Sequence, residues 1–301
     1  MNAWWPLIIT LAIQAAAAMA LLTIPAMAPE MARAVGVPAN FAGLYIALAY
    51  AAALLSSLAA GSAVVRYGAI RVSQLCLLLC GAGLLLCAWG PVPALVVGAL
   101  LIGMGYGPIT PASSHLLART TQPHQMSLVF SVKQTGVPLG GMLAGAMVPS
   151  LVVWSGWRGA LIASALVGLA LVFVSQVLRT SLDADRDRER PLRLGLLSEP
   201  IRLVLHHPGL STLAFCSFAF SMAQLSLTTY LVTYLYSQFA YTLVAAGLVL
   251  TVCQLGGVVG RIVWGMVADR WLGAAATLTV LAVLIAACAL FTARSEEHTS
   301  E

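Results

Sequence analysis

Arg179-Thr-Ser-Leu-Asp183-Ala-Asp185-Arg-Asp-Arg-Glu-Arg190 opens the one long charged stretch of this chain, and the sequence on both sides of it is strongly apolar. The stretch covers residues 179–207 and also holds Arg193, Glu199 and Arg202. Six apolar runs precede it, at about 5–28, 40–60, 72–89, 92–114, 124–149 and 158–178. Three follow, at about 209–236, 243–264 and 273–292. A helix crosses a bilayer with roughly 20 apolar residues, so each run is long enough to span. The turn-forming pairs Gly90–Pro91, Trp154–Gly156 and Pro208–Gly209 fall between runs, where connections belong. The expected fold is therefore an all-α membrane protein. Residues 1–178 form a six-helix unit, 179–207 a linker, and 208–293 the first three helices of a second unit.

Composition supports this reading. Of 301 residues, 60% are hydrophobic and 8% charged, and the mean hydropathy is +0.95. A soluble domain carries about 25% charged residues, so soluble enzymes, secreted disulfide scaffolds and nucleic-acid binders are excluded on this ground. The net charge of +5 does not change that. In the linker, basic and acidic side chains alternate, as in a solvated loop near anionic headgroups and unlike a phosphate-reading groove. Cys76, Cys80, Cys87, Cys216, Cys253 and Cys288 all lie inside apolar runs, where thiols act as small hydrophobes. No zinc spacing occurs among them, so no metal is expected.

Orientation follows from the arginines. With the N-terminus inside, the cytoplasmic side receives Arg66, Arg71, Arg119, Arg179, Arg186, Arg188, Arg190, Arg193, Arg202, Arg261 and Arg270. The opposite side receives only Arg33 and Arg158. This asymmetry is the positive-inside pattern. The first run lacks a basic leader and a cleavage site, so it is read as a retained helix and not a signal peptide. At the other end, Arg294-Ser-Glu-Glu-His-Thr-Ser-Glu301 departs abruptly from the run before it. It reads like a translated sequencing adapter and is set aside as a non-native tail, residues 294–301, with an ordinary polar tail as the alternative.

Two segments carry a repeated pattern. Gly61-Ser-Ala-Val-Val65-Arg66-Tyr-Gly68-Ala-Ile-Arg71 follows the second run, and Gly265-Met-Val-Ala-Asp269-Arg270-Trp-Leu-Gly273 follows the eighth. Both resemble the cytoplasmic-loop signature of the major facilitator superfamily, in which glycines let helix ends approach and Asp-Arg clamps one bundle to the next. Both depart from it. Val65 stands where the first copy has an acid, which implies a weakened first clamp, and the second copy has one extra residue before Gly273. A tight basic turn at the membrane face would explain either copy alone, but not the pair.

The resemblance covers residues 1–293. It includes Gly103-Met-Gly105-Tyr106-Gly107-Pro108, Gly156-Trp157-Arg158 and Ser131-Val-Lys133-Gln134-Thr135-Gly136-Val-Pro138-Leu-Gly140-Gly141. Together these are similar to a bacterial branch that includes cyanate-permease-like and monocarboxylate-type carriers. What the resemblance implies is a secondary transporter of a small organic or inorganic anion, working by alternating access around a central site. It also implies twelve helices, so the chain is expected to be C-terminally truncated and inactive in its 301-residue form. The expected location is the bacterial inner membrane. Expected partners are the bilayer and a small-molecule substrate, with or without a coupling proton, and no nucleic acid; a monomer and no cofactor are expected.

Individual residues sharpen the expectation. Lys133 is the only lysine, and it lies ten residues past Pro123, roughly 15 Å along a helix. An ammonium at that depth is costly and defaults to a functional reading, here attraction of an anion with Gln134 supplying hydrogen bonds. Snorkelling, or a brace to helix-end carbonyls, is the plainer alternative. Arg261 matches the place where monocarboxylate carriers hold a carboxylate, a task suited to a planar guanidinium. It would otherwise brace the Asp269 loop. Gln14, Tyr106 and Gln224 lie on the first, fourth and seventh spans, which line the cavity in the family, although a lone polar residue in a span often serves only helix packing.

Rival classes fare worse. His115, His124, His206, His207 and His298 show no HExxH spacing, so no catalytic residue is assigned and no enzyme is expected. A nucleotide-binding GxxxxGK[ST] loop needs a lysine after glycine, whereas Lys133 follows Val132. An efflux carrier of neutral or cationic compounds, and a receptor or scaffold on the same fold, remain as alternatives.

Overall fold

Trp4–Ala26 forms helix α1, which is apolar all round and so belongs inside a bundle, not at its rim. From Ile13 to Ala26 every residue is buried. In the computed structural model, which describes residues 4–38, 40–189 and 198–299, the chain forms two compact units, Met1–Gly257 and Val258–Glu301.

The first unit continues with α2 (Ala28–Val35), α3 (Phe41–Tyr67), α4 (Ala69–Trp89), α5 (Val92–Tyr106) and α6 (Ile109–Thr120). A short 3-10 turn at Pro123–Gln125 leads into α7 (Met126–Gln134) and α8 (Gly136–Leu182). After the charged stretch come α9 (Ser198–His206), α10 (Pro208–Gln238) and α11 (Leu243–Val267), the last crossing into the second unit. There a π turn at Ala268–Leu272 precedes α12 (Gly273–Thr299). Within the first unit α1 packs along α8, α4 lies against both α5 and α8, and α3 packs on α5.

Seven helical segments among the described residues are long and apolar enough to cross a membrane, and Ala275–Leu290 adds a shorter apolar one. One of the seven, Leu128–Leu182, has 55 residues, more than twice what a crossing needs. It turns at Gly156, whose φ of 72° and ψ of 170° are not helical. Arg119, ahead of this segment, pairs with Asp185, just beyond it, so both its ends lie on one face. The segment is therefore a hairpin of the two spans expected at 124–149 and 158–178. Helix α8 ends at Leu182, a turn beyond the expected 178.

Glycine permits the close approach of α8 to α11. A Cβ at Gly145 would stand 2.6 Å from the Gly247 carbonyl oxygen, and one at Gly141 would collide with the Gln254 amide. Small residues at helix contacts are how apolar helices gain packing energy where lipid removes the hydrophobic drive.

Candidate functional site

Two spans are interrupted beside each other. Gly107–Pro108 separates α5 from α6, and Thr135 separates α7 from α8. The second interruption has a direct cause. Pro138 offers no N–H to the Gln134 carbonyl four residues earlier, so the helical ladder fails there. The backbone at Gly107, Pro108 and Thr135 keeps right-handed helical angles, so each junction is a loosened turn inside a continuous span and not an unwound break.

Lys133 occupies this junction and is 1% exposed. Its Nζ donates to the Thr110 carbonyl at 3.2 Å and to Ser114 Oγ at 3.0 Å. The Thr110 hydroxyl in turn donates to Gln14 Oε1 on α1 at 3.3 Å. Gln14 is also 1% exposed, and its Nε2 has no hydrogen-bond partner among the described residues. An ammonium has three N–H donors, and two are engaged. None of the ion pairs among the described residues reaches Lys133. The cluster of Gln14, Thr110, Ser114 and Lys133 thus presents surplus donors and a buried cation with no acidic partner among the described residues. Burying an ammonium without a counter-ion costs several kcal/mol, a cost that an arriving anion removes.

Of the residues expected to line the site, Gln14 is linked to Lys133 through Thr110. Gln134 is exposed, about 100° round the helix from its neighbour. Tyr106 stacks edge-on against Tyr50, with ring centroids 5.9 Å apart. Gln224 is exposed on α10, where its carbonyl accepts from the Thr228 hydroxyl. Arg261 is half-buried in the second unit. Thr110 and Ser114 escaped sequence reasoning, although Thr110-Pro-Ala-Ser-Ser114-His115 is a polar run inside an apolar span.

The linker end of the first unit holds a second arrangement. Helix α3 runs through Gly61–Tyr67, and the supposed loop is the single residue Gly68, at φ 94°. No close approach is seen at Gly61 or Gly265, where a Cβ would meet nothing within 4 Å among the described residues. At Gly68 a Cβ would collide with Asp183 instead. The Asp183 carboxylate accepts the N–H of Ile70 at 2.8 Å and of Arg71 at 3.0 Å. It thereby caps α4, whose first N–H groups have no partner within the helix. The carboxylate at this connection thus comes from the residue that ends α8, outside the signature itself. Burial pushes the Asp183 carboxyl above its ordinary range; the two backbone N–H groups and Arg179 oppose that, and Asp185 adds to it.

Around this cap, Asp185 pairs with Arg119 and lies 2.9 Å from His115 Nε2. Arg66 stacks on Tyr67 at 5.6 Å, and Arg71 Nη1 donates to Gln74 at 3.3 Å. In the second signature copy, Arg270 is exposed and Gly273 turns the chain at φ 73°. The side chain of Asp269 lies outside the described residues.

At the opposite end, Tyr236 of α10 donates its hydroxyl proton to Glu30 at 3.0 Å and accepts from Arg33 at 2.5 Å. Arg33 also pairs with Glu30 at 3.2 Å and lies 5.0 Å from the Tyr236 ring centre. This network ties α2 to α10.

Comparison with known proteins fits this architecture. The chain is 23% identical over 186 residues to the hexuronate transporter of Bacillus subtilis, an alignment covering 60% of this chain and 44% of that one. It is 32% identical over 168 residues to the multidrug resistance protein B homolog of Mycobacterium tuberculosis, covering 52% of this chain and 28% of that protein. It spans less than half the length of these relatives. The crystal structure of a bacterial homolog of the lysosomal transporter Spinster, inward-facing and occupied, superposes with a TM-score of 0.66 at 15% identity. That match covers 89% of this chain and 61% of the Spinster homolog. The Leu128–Leu182 hairpin, the Lys133 cluster and the signature segments all lie within residues 7–296, which match the family model of the Major Facilitator Superfamily, and the chain belongs to that family.

Proposed function

We propose that the carrier to which these residues belong moves a small organic or inorganic anion across a bacterial inner membrane by alternating access, with Lys133 as the anchor for the anion. One observation carries the reading: an ammonium 1% exposed, at the loosened turns of two spans, with no acidic partner and, nearby, a Gln14 amide without one among the described residues. Its chemistry suits a carboxylate or a comparably compact anion, because charge-assisted hydrogen bonds from Lys and amide donors are strongest to anionic oxygen. The hexuronate relative transports such an anion by its name. The arginine asymmetry supports a cytoplasmic N-terminus, and residues 179–207 are taken as the divide between the six-helix unit and the second one. Transport as a monomer, with a coupling proton accompanying the anion, completes the proposal.

Uptake of labelled lactate, cyanate and galacturonate by cells expressing the gene tests it. Lys133→Gln should abolish uptake of the transported anion, with a loss on the order of 30-fold or more for one charged hydrogen bond. Uptake that survives this change unaltered removes Lys133 from the site. Multidrug-type export is the second reading, favoured by the Mycobacterium tuberculosis relative, and ethidium extrusion without anion uptake would establish it.

A further inference from the structure

Five arginines line one cavity at the linker end. Arg66, Arg71, Arg179, Arg186 and Arg188, with Tyr67, surround a space of about 320 Å³. A second cavity of about 500 Å³ shares Arg179 and Arg186 and adds Asp183 to its lining. That carboxylate is already engaged by the N–H groups of Ile70 and Arg71. Asp187 lies beside this space, its N–H donating to the Val65 carbonyl at 2.9 Å, and its Oδ1 accepts the Glu189 N–H; neither acid is among the residues lining the two cavities. Positive charge therefore exceeds negative charge around this space. The Arg179 Nε is buried, ion-paired with Asp183 at 4.0 Å, and has no hydrogen-bond partner among the described residues.

The depth of the cavity is set by the helices that carry it. Helix α3 ends at Tyr67, α4 begins at Ala69 and α8 ends at Leu182, so their apolar lengths stop at this level. Tyr67 is 45% exposed there, the position of an aromatic ring at the headgroup boundary. Guanidinium groups match phosphate geometry and remain charged throughout. Basic pockets between spans at this level suit anionic headgroups.

We propose that this cavity binds a phosphate oxyanion, and that its bearer is an anionic phospholipid in the leaflet adjoining the linker. A bound phosphodiester would bridge the α3–α4 connection to the chain just beyond α8. This inference stands apart from the anion carried at Lys133 and does not depend on it.

The test compares the full chain in phosphatidylcholine nanodiscs doped with phosphatidylglycerol, counting by native mass spectrometry the lipids that stay bound on release. Preferential retention of phosphatidylglycerol, unaffected by millimolar inorganic phosphate, is the expected result. The double variant Arg186→Gln/Arg188→Gln should reduce that retention by about tenfold or more. Should inorganic phosphate displace the lipid and raise the melting temperature of the wild type alone, the phosphate site holds and its ligand is the free ion. Equal retention of both lipids with no effect of phosphate on the wild type would overturn the proposal, as would undiminished preference in the double variant. If the variant does not fold, the wild-type lipid preference and phosphate response decide by themselves.

Discussion

Asp183 shows how much one residue can settle. Its side chain is 1% exposed and accepts two backbone N–H groups at the start of α4. Asp183→Ala leaves both donors without their cap and should cost about 1–2 kcal/mol, read as a lower melting temperature in detergent. The pH dependence has a definite sign. Burial raises the folded carboxyl above its ordinary value of 3.8, so the folded chain holds this proton more tightly than the unfolded chain does. Stability from that proton is complete below 3.8 and is lost as pH rises through the higher folded value. Asp183→Asn, which cannot ionise and keeps one acceptor oxygen, should flatten this part of the melting-temperature profile. An unchanged slope would mean that the carboxyl is not held as its burial requires.

Loosened turns matter as much as helices here. Pro138→Ala restores an N–H for the Gln134 carbonyl and should let α7 run straight into α8. The expected outcome is a melting temperature unchanged or raised, because Ala suits a helix interior far better than Pro, together with a large loss of transport as Lys133 leaves Thr110 and Ser114. Retained transport would show that the loosened turn is incidental. The helices themselves were legible from apolar run length, and Gly156 could be read as a turn because glycine and tryptophan interrupt the run. Lys133 stood out as a lone cation at depth. The partners of Lys133 did not, because a backbone carbonyl has no sequence signature and Ser114 reads as one more small residue in a span. Gln134 follows Lys133 directly, yet neighbours on a helix face different directions, and the structure leaves Gln134 exposed. The end of α3 was misread as a loop, since the glycine of the signature was weighed more heavily than the helical continuity of Ala-Val-Val-Arg-Tyr.

For the molecule as a whole, the tie between α2 and α10 at the face away from the linker is the contact to release. Tyr236→Phe removes the hydroxyl shared by Glu30 and Arg33 but keeps the ring beneath the guanidinium. With Cys216, Cys253 and Cys288 replaced by serine, a Val232→Cys probe, at a position now 1% exposed, reports opening of that face. Its labelling by an impermeant maleimide should quicken about fivefold when roughly 1 kcal/mol of hydrogen bonding is lost; an unaltered rate would mean that other contacts hold the face shut. The cap at Gly68 has a consequence for how such chains are recognised. A signature is a string of positions, whereas a helix cap is a set of atoms, and here the carboxylate at the start of α4 comes from position 183, beyond the end of α8. A search that demands an acid at the position of Val65 would discard this chain as defective.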